Sequence, residues 1–221
     1  MNLLLLFPDD FLSPTRARVT GRRRDEIERI GSAQLRVGVI DGRIGTAEVV
    51  APGELEVHLD TDPPPPLPLT LILALPRPKV LGRVIASATS MGIKRIFLIN
   101  AWRVEKSYWK TPKLQKLRDH AILGLEQARD TVMPRIETHR FFRSFVEELQ
   151  PEGLALVAHP GAAETCPRGV QEPVTLAIGP EGGFIAEEIA SLERIGFRAV
   201  NLGPRILRVE TAVSALVGRL F

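Results

Sequence analysis

A chain of 221 residues with 44% hydrophobic content can bury one or two cores, so length alone leaves one domain or two open. A single cysteine, Cys166, and four scattered histidines, His58, His120, His139 and His159, exclude a disulfide framework and offer no metal-ligand spacing, which points to a metal-free intracellular protein. The net charge of +3 is small but unevenly spread: 8 Arg stand against 10 acids in residues 1–60, 15 Lys or Arg against 5 acids from Arg77 to Arg143, and 6 basic against 10 acidic residues from 144 to the end.

From the start of the chain, Leu3 to Phe7 is an apolar run with no basic residue before it, cut short by Pro8, Asp9 and Asp10. It fails as a signal peptide or a membrane span and reads as a buried strand, so no membrane partner is expected. Leu35–Ile40 and Ile44–Val50 are strand-like runs joined through Asp41-Gly42, a dipeptide that tolerates the positive φ of a tight hairpin, and Glu54–Leu59 alternates polar and apolar residues. These predict a small β domain over residues 1–62. The run Pro63-Pro64-Pro65-Pro66-Leu67-Pro68 can form neither a helix nor a central strand and reads as a linker over 63–68.

Beyond it, residues 69–221 alternate strands and helices. The strands are predicted at Thr70–Leu75, Arg95–Ile99, Arg135–Thr138, Leu154–Ala158, Val174–Ile178 and Arg198–Leu202. The helices are predicted at Lys79–Met91, Pro112–Arg129, Phe141–Leu149, Ala186–Ile195 and Thr211–Leu220. Such alternation argues for an α/β fold, a mostly parallel sheet with helices on both faces, and ligands in such folds bind beyond the carboxyl ends of the strands. The cationic middle third has two readings, a surface for a polyanion such as nucleic acid or charge spread over solvated helix faces. Cys166, between Thr165 and Pro167 in a loop with no histidine beside it, lacks the surroundings of a nucleophile.

Two loops leave apolar strands at a Gly-Pro: Ile178-Gly179-Pro180-Glu181-Gly182-Gly183-Phe184, and Leu202-Gly203-Pro204-Arg205-Ile206-Leu207-Arg208-Val209-Glu210-Thr211-Ala212. Glycines let backbone N–H and C=O groups approach a flat ligand closely. Neither loop has the Gly-Lys-Ser/Thr ending or the Gly-x-Gly-x-x-Gly spacing of a phosphate cradle, and Glu181 would set a carboxylate beside the anion. An uncharged or cationic nucleoside such as S-adenosyl-L-methionine fits better; the plain alternative is a pair of tight turns.

Those two motifs together resemble the paired signature of the bacterial 16S ribosomal RNA uridine N3-methyltransferases, the RsmE family of the SPOUT superfamily. The likeness extends to Arg103-Val104-Glu105-Lys106-Ser107-Tyr108-Trp109 and to Leu125-Glu126-Gln127-Ala128, and the Arg-rich region before the linker is similar to that family's PUA-like domain. The resemblance implies a SPOUT-type sheet with a trefoil knot, preceded by a PUA-like β-barrel domain that binds RNA. It implies a cytoplasmic homodimer acting on 16S rRNA of the small ribosomal subunit, with S-adenosyl-L-methionine as cofactor and no metal. A relative that methylates a ribose 2′-hydroxyl, or a non-catalytic RNA-binding or ribosome-assembly protein of the same fold, are the alternatives.

Carried over by position, the expected cofactor contacts are Ile178, Gly179, Pro180, Glu181, Gly182 and Gly183 in the first loop, and Leu202, Gly203, Ile206, Leu207, Thr211 and Ala212 in the second. Arg208 is the expected catalytic side chain, a permanent cation whose donors suit the charge that builds on the uracil oxygens as the imino proton leaves. Glu210 either assists that proton or favours the start of its helix, Thr211 either meets the cofactor or caps that helix, and Glu181 either braces its loop or faces the sulfonium. For RNA, the expected contacts are Arg16, Arg18, Arg22, Arg23 and Arg24, which otherwise form a solvated turn. To these are added Arg103, Lys106, Trp109 and Lys110, where cations and rings interleave, although Trp102 and Trp109 also suit a core or a dimer interface. The chain departs from the family in lacking an early arginine in Met1–Phe7 and in carrying Ile185 where a small hydroxyl residue commonly caps the next helix.

Overall fold

In the computed structural model, which describes residues 2–221, the chain builds two sheets of opposite character. The first contains β1 (Leu4–Leu6), β2 (Phe11–Ser13), β3 (Arg16–Arg18), β4 (Gln34–Val39), β5 (Ile44–Ala51) and β6 (Glu54–Thr61), in the order β1-β4-β5-β6-β3-β2. β1 runs parallel to β4 and every other pairing is antiparallel. The Asp41-Gly42 hairpin forms as its chemistry predicts: Asp41 takes φ 54° and the Gly42 N–H donates to the Val39 carbonyl at 2.8 Å. Between β3 and β4, α1 (Arg22–Ile30) occupies a stretch whose polarity hides it, since only Ile27 of its nine residues is buried. The left-handed Gly31 ends that helix.

The second sheet contains β7 (Leu67–Ala74), β8 (Ile93–Ile99), β9 (Arg135–His139), β10 (Leu154–Ala158), β11 (Glu164–Thr165), β12 (Val174–Ile178) and β13 (Arg198–Asn201). Their order is β11-β13-β10-β12-β7-β8-β9. All its pairings are parallel, and all five residues of β12 are buried, as expected of a strand covered on both faces. The intervening helices are α2 (Pro78–Ser90), α3 (Leu117–Ala128), α4 (Phe142–Glu148), α5 (Ala186–Arg194) and α6 (Val209–Leu220). The α/β expectation therefore holds, with shifted boundaries. β7 begins at Leu67 and takes in Pro68, which sits at a register shift between Leu67 and Thr70, where the missing N–H costs no ladder bond. The predicted helix over 112–129 splits into a 3-10 turn, Pro112–Lys116, and α3. The last helix starts at Val209, with Arg208 rather than Thr211 at its N-cap position.

A large apolar core packs around the parallel sheet and a smaller one lies inside the first sheet. A third cluster, Leu3, Leu5, Ile44 and Leu125, joins the two sheets by setting the opening strand against α3. Beside it, the Thr131 hydroxyl donates to the Gly42 carbonyl and the Thr131 carbonyl accepts from the Asp41 N–H. A Cβ at Gly38 would lie only 2.5 Å from the Thr131 methyl, so glycine is what lets the two surfaces close. None of the helices among the described residues is long and apolar enough to cross a membrane.

Candidate active site

In the parallel sheet, β10 lies between β12 and β13, and Ala158 stands opposite both Ile178 and Val200, so the three strands end level with one another. The loops that follow, His159–Gly161, Gly179–Phe184 and Leu202–Leu207, wall a cleft of about 330 Å³ at the carboxyl rim of the sheet. Its position is the one that open parallel sheets reserve for ligands.

In the middle loop, the Gly183 N–H donates to the Pro180 carbonyl at 2.7 Å and Gly183 takes φ 73°. A Cβ at Gly179 would meet the Phe184 nitrogen at 2.8 Å, so the turn is too tight for a side chain there. Glu181 is turned outward from the bend: its Oε1 accepts from the Arg77 N–H at 2.9 Å, bracing the loop against the first turn of α2. Arg103, from the loop after β8, donates to the Gly182 carbonyl and lies across the glycines.

The third loop is fastened by Asn201. Its Oδ1 accepts from the Gly203 N–H at 2.8 Å, while its Nδ2 donates to the carbonyls of Ala162 and Glu164 at 2.8 and 2.9 Å. One side chain thus ties the first and third loops into a single wall, and Gly203 accommodates the reversal at φ 106°. Ile206 and Leu207 stand at the mouth of the cleft, Ile206 81% exposed, an unusual state for two adjacent aliphatic side chains with no partner over them.

Of the residues expected to hold a cofactor, Ile178 to Gly183, Leu202, Gly203, Ile206, Leu207 and Ala212 all line this cleft. Thr211 does not: it lies in the first turn of α6 with its neighbour Ala212 facing the cleft instead. Arg205 and Val209 line the wall on either side of Arg208, which occupies the N-cap position of α6 and is exposed beside the cleft. Glu210 sits in the first turn of α6, with its Oε1 3.7 Å from Arg83. His159, Asn201, Arg205 and Phe184 also line the cleft and were not among the expected contacts.

Glu188 was also missed. It is buried, and its two oxygens accept from the Trp102 N–H at 2.8 Å and the Ile185 N–H at 3.0 Å. Ile185 cannot cap α5 with its own side chain, and this carboxylate supplies half of a capping box while holding the 101–105 loop in place. The only sequence signal was an acidic residue three positions after the helix boundary. Cys166 is buried away from the cleft, and burial pushes its thiol up against a smaller opposing pull from Arg219.

The basic residues fall into two groups. Arg16 meets Glu56 at 3.0 Å, Arg18 meets Glu54 at 2.6 Å, Arg22 meets Glu126 at 3.0 Å and Arg24 meets Glu28 at 2.8 Å. Arg23 is held most tightly, forked onto Asp10 while also donating to the Leu5 carbonyl and lying 5.0 Å over the Phe7 ring. By contrast, Lys106 and Lys110 are exposed on a 3-10 turn, and Trp109 beside them donates its indole N–H to Asn100 at 2.8 Å.

The family profile of an RNA methyltransferase domain matches residues 63–220. A ribosomal RNA small subunit methyltransferase E from Treponema pallidum is 32% identical over 154 residues, 63% of this chain and 56% of that protein. One of the same name from Mesomycoplasma hyopneumoniae is 30% identical over 107 residues, 48% and 47% of the two chains. The matched stretches therefore span about half the length of these relatives. In fold, the crystal structure of a ribosomal RNA small subunit methyltransferase E from Neisseria gonorrhoeae, bound to S-adenosyl methionine, superposes with a TM-score of 0.76 at 22% identity. That likeness covers 98% of this chain and 96% of the other.

Proposed function

Because this chain belongs to the RNA methyltransferase family, we propose that it methylates N3 of a uridine in 16S ribosomal RNA of the small ribosomal subunit, using S-adenosyl-L-methionine, as a cytoplasmic homodimer. The observation that carries this reading is the glycine-walled cleft beyond β10, β12 and β13, whose lining is mostly peptide groups and apolar side chains. The residues present fit that cofactor: peptide edges exposed by Gly179, Gly182 and Gly203 suit adenine and ribose, and neither glycine loop carries the Gly-Lys-Ser/Thr ending of a phosphate cradle. The shared name of the two relatives supports the choice of RNA.

When bound, the cofactor supplies an electrophilic methyl group on a sulfonium. Ile206 and Leu207, exposed at the mouth, exclude water from the reacting face. Arg208 orients a uracil carbonyl and stabilises the negative charge left as the N3 proton departs, and Glu210 either assists that departure or stabilises the amino end of α6. The RNA is met chiefly by Arg103, Lys106 and Lys110 together with the Trp109 ring, while Arg16, Arg18, Arg22, Arg23 and Arg24, each held by a carboxylate, add a weaker contact. In this reading residues 1–62 are a PUA-like β-barrel, the expected linker over 63–68 shortens to 63–66 because β7 begins at Leu67, and the rest is a SPOUT domain whose carboxyl end is threaded into a trefoil knot.

The test is calorimetric titration with S-adenosyl-L-methionine, followed by methyl transfer to small ribosomal subunits and mass spectrometry of the nucleosides. Micromolar-range binding and a base-methylated uridine are expected. Preference for a nucleoside triphosphate would end the proposal, and a ribose-methylated product would replace it with the 2′-hydroxyl chemistry.

A further inference from the structure

We propose that a second cleft, at the carboxyl ends of β8 and β9, holds a base and its phosphate from the RNA strand beside the target nucleotide. The inference rests on the RNA-methylating reading and adds to it a binding subsite with its own chemistry. The cleft is an open depression of about 540 Å³. Trp109, Lys110, Thr111, Gln115, Thr138 and Arg140 supply its functional groups, and no carboxylate lines it.

The Arg140 guanidinium lies over the Trp109 ring, 5.6 Å from its centre, and donates to the Trp109 carbonyl at 3.4 Å. The indole N–H is already engaged by Asn100, so the ring's orientation is fixed from below and its polar edge is satisfied. A planar cation held against an aromatic ring is a ready stacking platform for a nucleobase, which every base can use whatever its edge. Lys110 and Arg140 provide the charge for a phosphate, while the Gln115 amide and the Thr138 hydroxyl, both exposed, offer donors and acceptors to a base edge.

Its place in the fold ties this cleft to the first. Since all the strands are parallel, both clefts open on the same rim, and β9 stands three strand positions from β12, roughly 14 Å at the usual spacing. A few nucleotides of extended strand bridge that gap. Two residues after Arg140, the Phe142 ring packs against Phe184 at 6.1 Å, on the wall of the first cleft, and Arg103 lies on the Gly182 carbonyl between the two. A strand with its target base at the mouth of the first cleft is thereby led past Arg103 to the Trp109–Arg140 pair.

The experiment uses the full chain carrying Trp102→Phe, which leaves Trp109 as the single tryptophan emitter, titrated with heptauridylate. Saturable quenching of Trp109 emission is expected. Arg140→Ala, or Lys110→Ala as a second variant, should weaken oligonucleotide binding by about tenfold or more, in line with the loss of one stacked base. With small subunits as substrate, Arg140→Ala should raise KM and leave kcat and S-adenosyl-L-methionine affinity unchanged. Emission that ignores heptauridylate, or that responds to protein dilution alone because a second copy of the chain covers the cleft, would overturn the proposal. Quenching without methyl transfer would sink the catalytic reading and leave this cleft standing.

Discussion

Around the six-stranded sheet nearly every guanidinium has a carboxylate within reach, whereas along the carboxyl rim of the parallel sheet Arg103 and Arg140 bind main-chain carbonyls. The difference comes from strand register. Arg16 and Arg18 of β3 stand directly opposite Glu56 and Glu54 of β6, so pairing the strands pairs the charges. No such strand faces the 101–116 segment, which crosses the rim as loop and 3-10 turns and keeps its cations available. Basic clusters in a sequence thus become structural bracing in one place and exposed charge in the other.

The sharpest way to break this contrast is at Arg23, whose side chain is 19% exposed against an Asp10 that is 10% exposed. Removing it in Arg23→Ala strands a nearly buried carboxylate and should cost about 3 kcal/mol of stability. Urea denaturation measures this, and an unchanged midpoint would mean that the first sheet does not depend on its ion pairs. On the rim, Arg208→Ala should leave folding and S-adenosyl-L-methionine affinity intact while slowing methyl transfer about a hundredfold, as expected for one lost charge-stabilising group. Single-turnover rates with bound subunits decide it.

Glu188→Ala tests whether the rim loops are themselves braced by a hidden carboxylate. Two N–H groups, of Trp102 and Ile185, lose their acceptor, at about 2 kcal/mol of stability, with faster amide exchange at Trp102 as the local signature. The smallest effect is in salt dependence. The double change Lys106→Ala, Lys110→Ala should flatten the plot of log affinity for single-stranded RNA against log salt by about 1.4, at roughly 0.7 for each phosphate left without its cation. Arg16→Ala with Arg18→Ala should change that slope by less than half as much.

What the sequence disclosed follows from the range of the interactions involved. Apolar runs such as Leu154–Ala158 and Val174–Ile178 are local signals, and they form β10 and β12 with the predicted bounds. The two glycine motifs are local too, and nearly all of their expected cofactor residues line one cleft. α1 escaped because Arg22–Ile30 buries a single side chain and so shows no periodic face. Asn201, Glu188 and His159 escaped for a different reason: each matters through partners or neighbours that only the strand order brings near, and a lone Asn, Glu or His carries no mark of that. Thr211 was displaced because α6 begins three residues earlier than a hydroxyl cap there suggests, which puts Arg208 at the helix entrance.

The seam between the sheets sets an order on how the molecule is made. The Asn2 amide donates to the Gln127 carbonyl 125 positions away, and Leu3 and Leu5 rest against Leu125. As the polypeptide leaves the ribosome, its β1 strand therefore finds β4 early but keeps an uncovered apolar flank until α3 has been synthesised. Nascent intermediates should be greedy for chaperones up to the emergence of α3, and the finished protein should unfold as one cooperative body.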